Sequence, residues 1–219
     1  MRLRTTALTL LTVIAMTGLT VKADFTPIAQ PTVGYTSSTT LIDISGIPDG
    51  TSNILSVTQG PQTVSFDSGV TKTAVGVGWS TWGSPPFTES NTPSVLVKAP
   101  GNTLQMLLSL PSTTFGFELQ GNMTTVNEFN VQFYEGVVPV GNITLFINGN
   151  AGARLFAAST TDSPFTSVVI NNVDGQAQGF AIANLRYTPV PEPASVAMIA
   201  QAIAAVGFYG WRKRRQAAK

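Results

Sequence analysis

The segment Thr114-Phe115-Gly116-Phe117-Glu118-Leu119-Gln120 sends Phe115, Phe117 and Leu119 to one side of an extended chain and Gly116, Glu118 and Gln120 to the other. A period of two marks a strand with one buried face. The alternation recurs on both sides of this segment. Leu104, Met106, Leu108 and Leu110 oppose Thr103, Gln105, Leu107 and Ser109 before it. After it, Val131 and Phe133 oppose Gln132 and Tyr134, and Ile143, Leu145 and Ile147 oppose Thr144 and Phe146. Residues 154–158, 167–170 and 179–187 complete the second half, with Phe180, Ile182 and Leu185 as core candidates. Shorter extended runs lie at residues 41–47, 54–57, 63–66, 72–79 and 94–98, and residues 79–93 form a long surface loop. About ten strands parted by Gly, Asn and Pro turns, with no helical period, predict an all-β domain. The expected architecture is an antiparallel β-sandwich of jelly-roll-like type.

This domain occupies residues 41–188, and residues 24–40, rich in Thr, Ser and Pro, are expected to be a lead-in with little structure. Domain and lead-in together hold four cations (Lys72, Lys98, Arg154 and Arg186) against ten carboxylates, a balance of −6; the +1 of the whole chain comes from its ends. Phosphate contacts need clustered Lys and Arg, so nucleic acid is excluded as a partner. Cys is absent, so apolar burial rather than disulfides must hold an exported fold together. His is absent too, which removes the commonest general base and zinc ligand and rules out Ser-His-Asp and Cys-His sites.

Both ends carry targeting features. Met1-Arg2-Leu3-Arg4 is cationic, residues 5–21 are uncharged with an apolar core at 7–16, and Val21-Lys22-Ala23 permits cleavage between Ala23 and Asp24. Residues 1–23 are therefore a secretory signal peptide, with signal peptidase and the secretion machinery as partners. Residues 189–219 fall into three parts, beginning with Val190-Pro191-Glu192-Pro193. Its prolines fix φ and hold the motif extended and exposed. Residues 194–211 carry no charge and would make a helix of about 27 Å, close to the ~30 Å of a hydrocarbon core. The basic tail, residues 212–219, opens with Arg212-Lys213-Arg214-Arg215, a cluster that stays on the cytoplasmic side of the inner membrane.

This order of motif, apolar helix and basic cluster resembles the PEP-CTERM sorting signal of Gram-negative bacteria. The resemblance implies recognition in the inner membrane by an exosortase, a membrane cysteine protease-transpeptidase that would cleave near Pro191-Glu192-Pro193. It also implies delivery to the cell surface or to extracellular polysaccharide and biofilm. Gln201 departs from the usual Leu, Gly and Ala of such helices. Residues 114–187 resemble the body of many PEP-CTERM proteins through Phe115-Gly116-Phe117-Glu118-Leu119, Arg154-Leu155-Phe156-Ala157-Ala158, Phe165-Thr166-Ser167-Val168 and the run from Gly179 to Tyr187. Ala183 stands where such bodies commonly place an Asp before the Asn.

The domain's own chemistry is sparse. A glycoside hydrolase needs two facing carboxylates roughly 5 to 10 Å apart, and Glu118, Glu128, Glu135, Asp162 and Asp174 are the candidates, with solvated loop charge as the default. A structural calcium would draw on Asp162 and Asp174-Gly175, where ordinary Asx turns are the competing reading, and no cofactor is otherwise expected. Trp79, Trp82 and Phe87 could offer ring faces to a sugar, or could cover the open end of the sandwich, which is the favoured alternative. The leading expectation is a non-enzymatic exported surface or matrix protein. A carbohydrate-binding module using the aromatic loop is the alternative, and a hydrolase the least favoured.

Overall fold

The computed structural model describes residues 24–190. The expected signal peptide through Ala23, the motif residues Pro191, Glu192 and Pro193, the expected helix at 194–211 and the cluster Arg212, Lys213, Arg214 and Arg215 lie outside the described residues. No helix among the described residues is long and apolar enough to cross a membrane.

The elements in chain order are β1 (Thr26–Ile28), α1 (Val33–Ser38), β2 (Thr40–Leu41), β3 (Ile54–Gln59), β4 (Gln62–Ala74), β5 (Ser94–Lys98), β6 (Thr103–Gly121), β7 (Val126–Glu135), β8 (Val138–Asn148), β9 (Arg154–Ser159), β10 (Phe165–Asn172) and β11 (Phe180–Pro189). Every pairing between these strands is antiparallel. A first layer runs β3–β4–β6–β10–β7–β8. A second runs β4–β5–β11–β6–β9–β1, with β2 on the last residues of β11. The long strands β4 and β6 belong to both: β6 pairs with β4 and β10 through Thr103–Leu108 and with β11 and β9 from Ser112 onward, where Phe165 of β10 also meets Ser112.

The two layers close on one core. Phe115, Phe117, Leu119, Phe156, Phe180 and Ile182 from the second layer meet Leu104, Met106, Phe129, Val131, Phe133 and Ile170 from the first. Phe129 meets Phe180 edge-on at 5.8 Å, and Phe117 stacks on Phe156 at 6.2 Å, geometries that add to the burial of each ring. Phe25 closes one margin against Phe133, its ring 5.4 Å away.

Three expectations need correction. The alternations at residues 103–110 and 114–120 are one strand of 19 residues. Pro111 does not break it because it sits where β6 changes ladder partners, so its missing N–H costs no regular pair. The run at 41–47 is a strand only to Leu41. There the Asp43 carboxylate accepts the Ser45 amide at 2.8 Å and turns the chain, while Ile42 and Ile44 still bury. That backbone hydrogen bond holds the Asp43 carboxyl below its usual range. The lead-in at 24–40 is ordered as β1, α1 and β2, because Phe25 and Tyr35 carry it onto the sandwich.

Tyr35 docks where β6 carries Gly116. A Cβ there would stand 2.2 Å from the Ala157 Cβ and 2.7 Å from the Tyr35 hydroxyl. Gly116→Ala is therefore expected to cost about 1–3 kcal/mol by overpacking and to lower the melting temperature measured by circular dichroism. An unchanged melting temperature would show that α1 is not seated on β6 as described.

Candidate functional site

The outer face of the second layer is where polar side chains enter the protein. Along β6, Gly116, Glu118 and Gln120 point away from the core, flanked by Leu155 and Ala157 on β9 and by Ala181 and Ala183 on β11. Small neighbours leave a trough along the sheet. The chain between β4 and β5, residues 75–93, fills it with Trp79 and Trp82, 7% and 3% exposed.

Each indole N–H then needs an acceptor. Trp82 Nε1 donates to Glu118 Oε2 at 2.8 Å, and the Glu89 amide donates to Oε1 at 2.6 Å. Trp79 Nε1 donates to Gln120 Oε1 at 2.8 Å. Gln120 Nε2 in turn donates to Thr81 Oγ1 at 3.2 Å and to the Gly149 carbonyl at 2.8 Å. Two side chains of one strand thus hold both ends of the covering loop.

A bulge in β11 supplies the third anchor. Asn184 adopts a left-handed φ of 50°, and the register with β6 shifts between Ala183 and Arg186. Inward parity passes from Phe180 and Ile182 to Leu185 and Tyr187, and Arg186 is turned outward. Its guanidinium grips Glu89 with two bonds, Nε to Oε1 at 2.6 Å and Nη2 to Oε2 at 2.7 Å. Nη1 donates to the Thr36 and Thr39 carbonyls at 3.1 and 3.4 Å. Arg186 therefore ties the loop to α1, and the hydrogen bonds it donates to Glu89 raise its own pKa.

Glu118 itself is fully buried, and desolvation pushes its carboxyl up from 4.5 to about 7 against the hydrogen bonds from Trp82 and the Glu89 amide. Asn184 Nδ2 and the Tyr35 hydroxyl are buried nearby without well-formed hydrogen bonds of their own. Ala183, across the ladder from Glu118, is buried as well; an Asp there would set a second carboxylate beside the first.

No family model matches the chain, and no curated protein does. Among solved structures, a carbohydrate binding module of family 29 shares 11% identity at a TM-score of 0.33, covering 76% of this chain and 89% of that one. A family 29 module from Piromyces equi shares 11% identity at a TM-score of 0.30, covering 58% and 91%. The enzymatically active domain of bacteriophage CBA120 tailspike protein 4 shares 20% identity at a TM-score of 0.31, covering 59% of this chain; the chain spans only 19% of its length. Likenesses at this level carry no argument about the present chain.

The expected site residues scatter. Trp79 and Trp82 lie between the loop and the sheet, 7% and 3% exposed, with their N–H groups bonded to Gln120 and Glu118; this is the covering arrangement, not a pair of open ring faces. Phe87 is 40% exposed, with the Arg154 guanidinium 4.2 Å above its ring. Glu118 and Glu128 stand on the outer sides of different layers with the core between them, and Glu135 ends β7 in solvent. Asp174 caps a turn, accepting from Asn172 Nδ2 and from the Gln176 and Glu128 amides, and among the described residues no three acidic side chains gather as a metal site. Asp24 is exposed at the first described position. Sequence reasoning missed Glu89, Arg186 and Gln120. The available signal was Glu118 and Gln120 two apart on the non-aromatic side of β6, opposite two tryptophans that need acceptors.

A carboxyl whose pKa is higher folded than unfolded binds its proton more tightly in the folded state, so stability is lost as pH rises from about 4.5 to about 7 and stays low above. Glu118→Gln removes the charge and keeps one acceptor, for Trp82, while its amide hydrogens meet the Glu89 N–H. It is expected to abolish that slope, whatever its stability at any single pH. Urea unfolding from pH 4 to pH 8 measures it; a variant as pH-sensitive as the parent would show that Glu118 is not the titrating group.

Proposed function

We propose that this chain is an exported, non-catalytic β-sandwich that an exosortase processes at its C-terminal motif and that works at the cell surface or in the matrix in contact with polysaccharide. The observation that carries the reading is that every described strand precedes the motif. β11, the last of them, ends at Pro189, and the Val190 amide donates to the Pro111 carbonyl at 3.0 Å. Val190 is also the first residue of Val190-Pro191-Glu192-Pro193, so a cut in that motif would leave all of the described strands in the processed chain. The resemblance of the ending to a PEP-CTERM signal supplies the processing enzyme and the destination.

The domain's chemistry supports a non-catalytic role. Its one fully buried carboxylate is closed off beneath Trp82, and the remaining candidate acids cap turns or face solvent on separate elements. With the Trp79 and Trp82 rings covered, a carbohydrate-binding role needs a contact made chiefly by other groups.

Intact mass of the protein recovered from the outer surface or medium of its native host tests the proposal. A chain beginning at Asp24 and ending between Val190 and Pro193, with or without an added group, is the expected result. A chain extending to Lys219 would overturn it.

A further inference from the structure

Beside the covering loop lies a pocket of about 130 Å³, lined by Trp79, Ser80, Thr81, Asn122, Thr124 and Asn150 with the backbone of Gly78 and Gly149. We infer that this pocket is a binding site for one uncharged sugar unit, the end or branch of a neutral polysaccharide. The inference rests on the polysaccharide contact proposed above and gives it a place and a ligand class.

The pocket is held from beneath. Gln120 is fully buried, and its amide joins three parts of the wall: it accepts from Trp79, and donates to Thr81 Oγ1 and to the Gly149 carbonyl. Thr81 Oγ1 also accepts the Ala151 amide at 3.1 Å, which fastens the 148–151 turn to the loop. Gly149 lets the turn lie against residues 121–123, since a Cβ there would run into the Met123 carbonyl oxygen. Asn148 Oδ1 accepts the Asn150 amide at 2.9 Å and fixes the turn that presents Asn150. Walls fixed before a ligand arrives lose little freedom on binding.

The groups left over define the ligand. Both acceptor sites of Thr81 Oγ1 are occupied, so its proton is what remains to offer. Among the described residues, Ser80 and Thr124 hydroxyls and the Asn150 side-chain amide make no hydrogen bond within the protein, and Asn122 makes one at 3.4 Å to the Gln178 carbonyl. Amides and hydroxyls both donate and accept, as sugar hydroxyls do. No lining residue is charged, so neither a phosphate nor a carboxylate would find a cation there, and an ammonium would find no anion. The volume is small beside the ~300–1,000 Å³ that engulfs a whole ligand, which suits one terminal ring.

The test uses the mature chain from its native host on immobilised neutral glucans, galactans and mannans, with a polyuronate as the charged probe. The unaltered protein is expected to bind a neutral polymer, and Asn122→Ala with Asn150→Ala to lose at least tenfold in affinity while melting as the parent does. Thr124→Val alone, a milder change, is expected to lose a smaller part. Neutral binding left intact by all three substitutions would overturn the pocket and leave the polysaccharide reading standing, as would binding to polyuronate alone. Binding to none of the polymers would overturn both.

Discussion

Two indole N–H groups on one loop meet a carboxylate and an amide on one strand, and the outer half of the molecule depends on that meeting. Without acceptors at Glu118 and Gln120, burying Trp79 and Trp82 would leave two donors unpaired, each costing about 1–3 kcal/mol. Without the indoles, the same two polar side chains would lie open on the sheet. Neither partner is favourable alone, so loop and strand order one another. The Glu89–Arg186 pair extends the arrangement to α1 and makes the loop, the bulge at Asn184 and the segment before β2 one cooperative patch.

The two halves of this cover differ in character. At the Glu118 end the structure keeps an ionisable group in an apolar setting, relieved by two donors and by no cation bonded to it directly. At the Gln120 end the buried group is neutral, and its spare amide hydrogens go to the edges of the pocket. A charge under Trp82 and an uncharged staple under Trp79 suit one end for closure and the other for presenting polar groups outward.

Strand parity made much of the core legible from the sequence: Phe115, Phe117, Leu119, Val131, Phe133, Phe180, Ile182 and Leu185 all face inward. Local rules failed where tertiary contacts overrode them. Pro111 looks like a boundary until β6 is seen exchanging partners around it. Asp43 ends an apolar run that alternation alone would continue. The polar composition of residues 24–40 conceals Phe25 and Tyr35, whose docking sites lie far along the chain. The pocket was illegible for the same reason, since residues 80, 122 and 150 are brought together by long-range bonds of Gln120 and Thr81.

The position of β11 has a mechanical consequence. It is the last described strand, yet it lies inside its layer, paired with β6 along one side and with β5 and β2 along the other. Tension arriving from beyond Val190 runs lengthwise along β11, so its ladder bonds are loaded in shear and must yield together, not open one by one like a zip. The Tyr187 hydroxyl on the Gln59 carbonyl and the Thr188 hydroxyl on the Ser38 carbonyl spread that load into β3 and α1. A domain tethered through this end would resist being pulled from its attachment far better than one tethered through an edge strand such as β8.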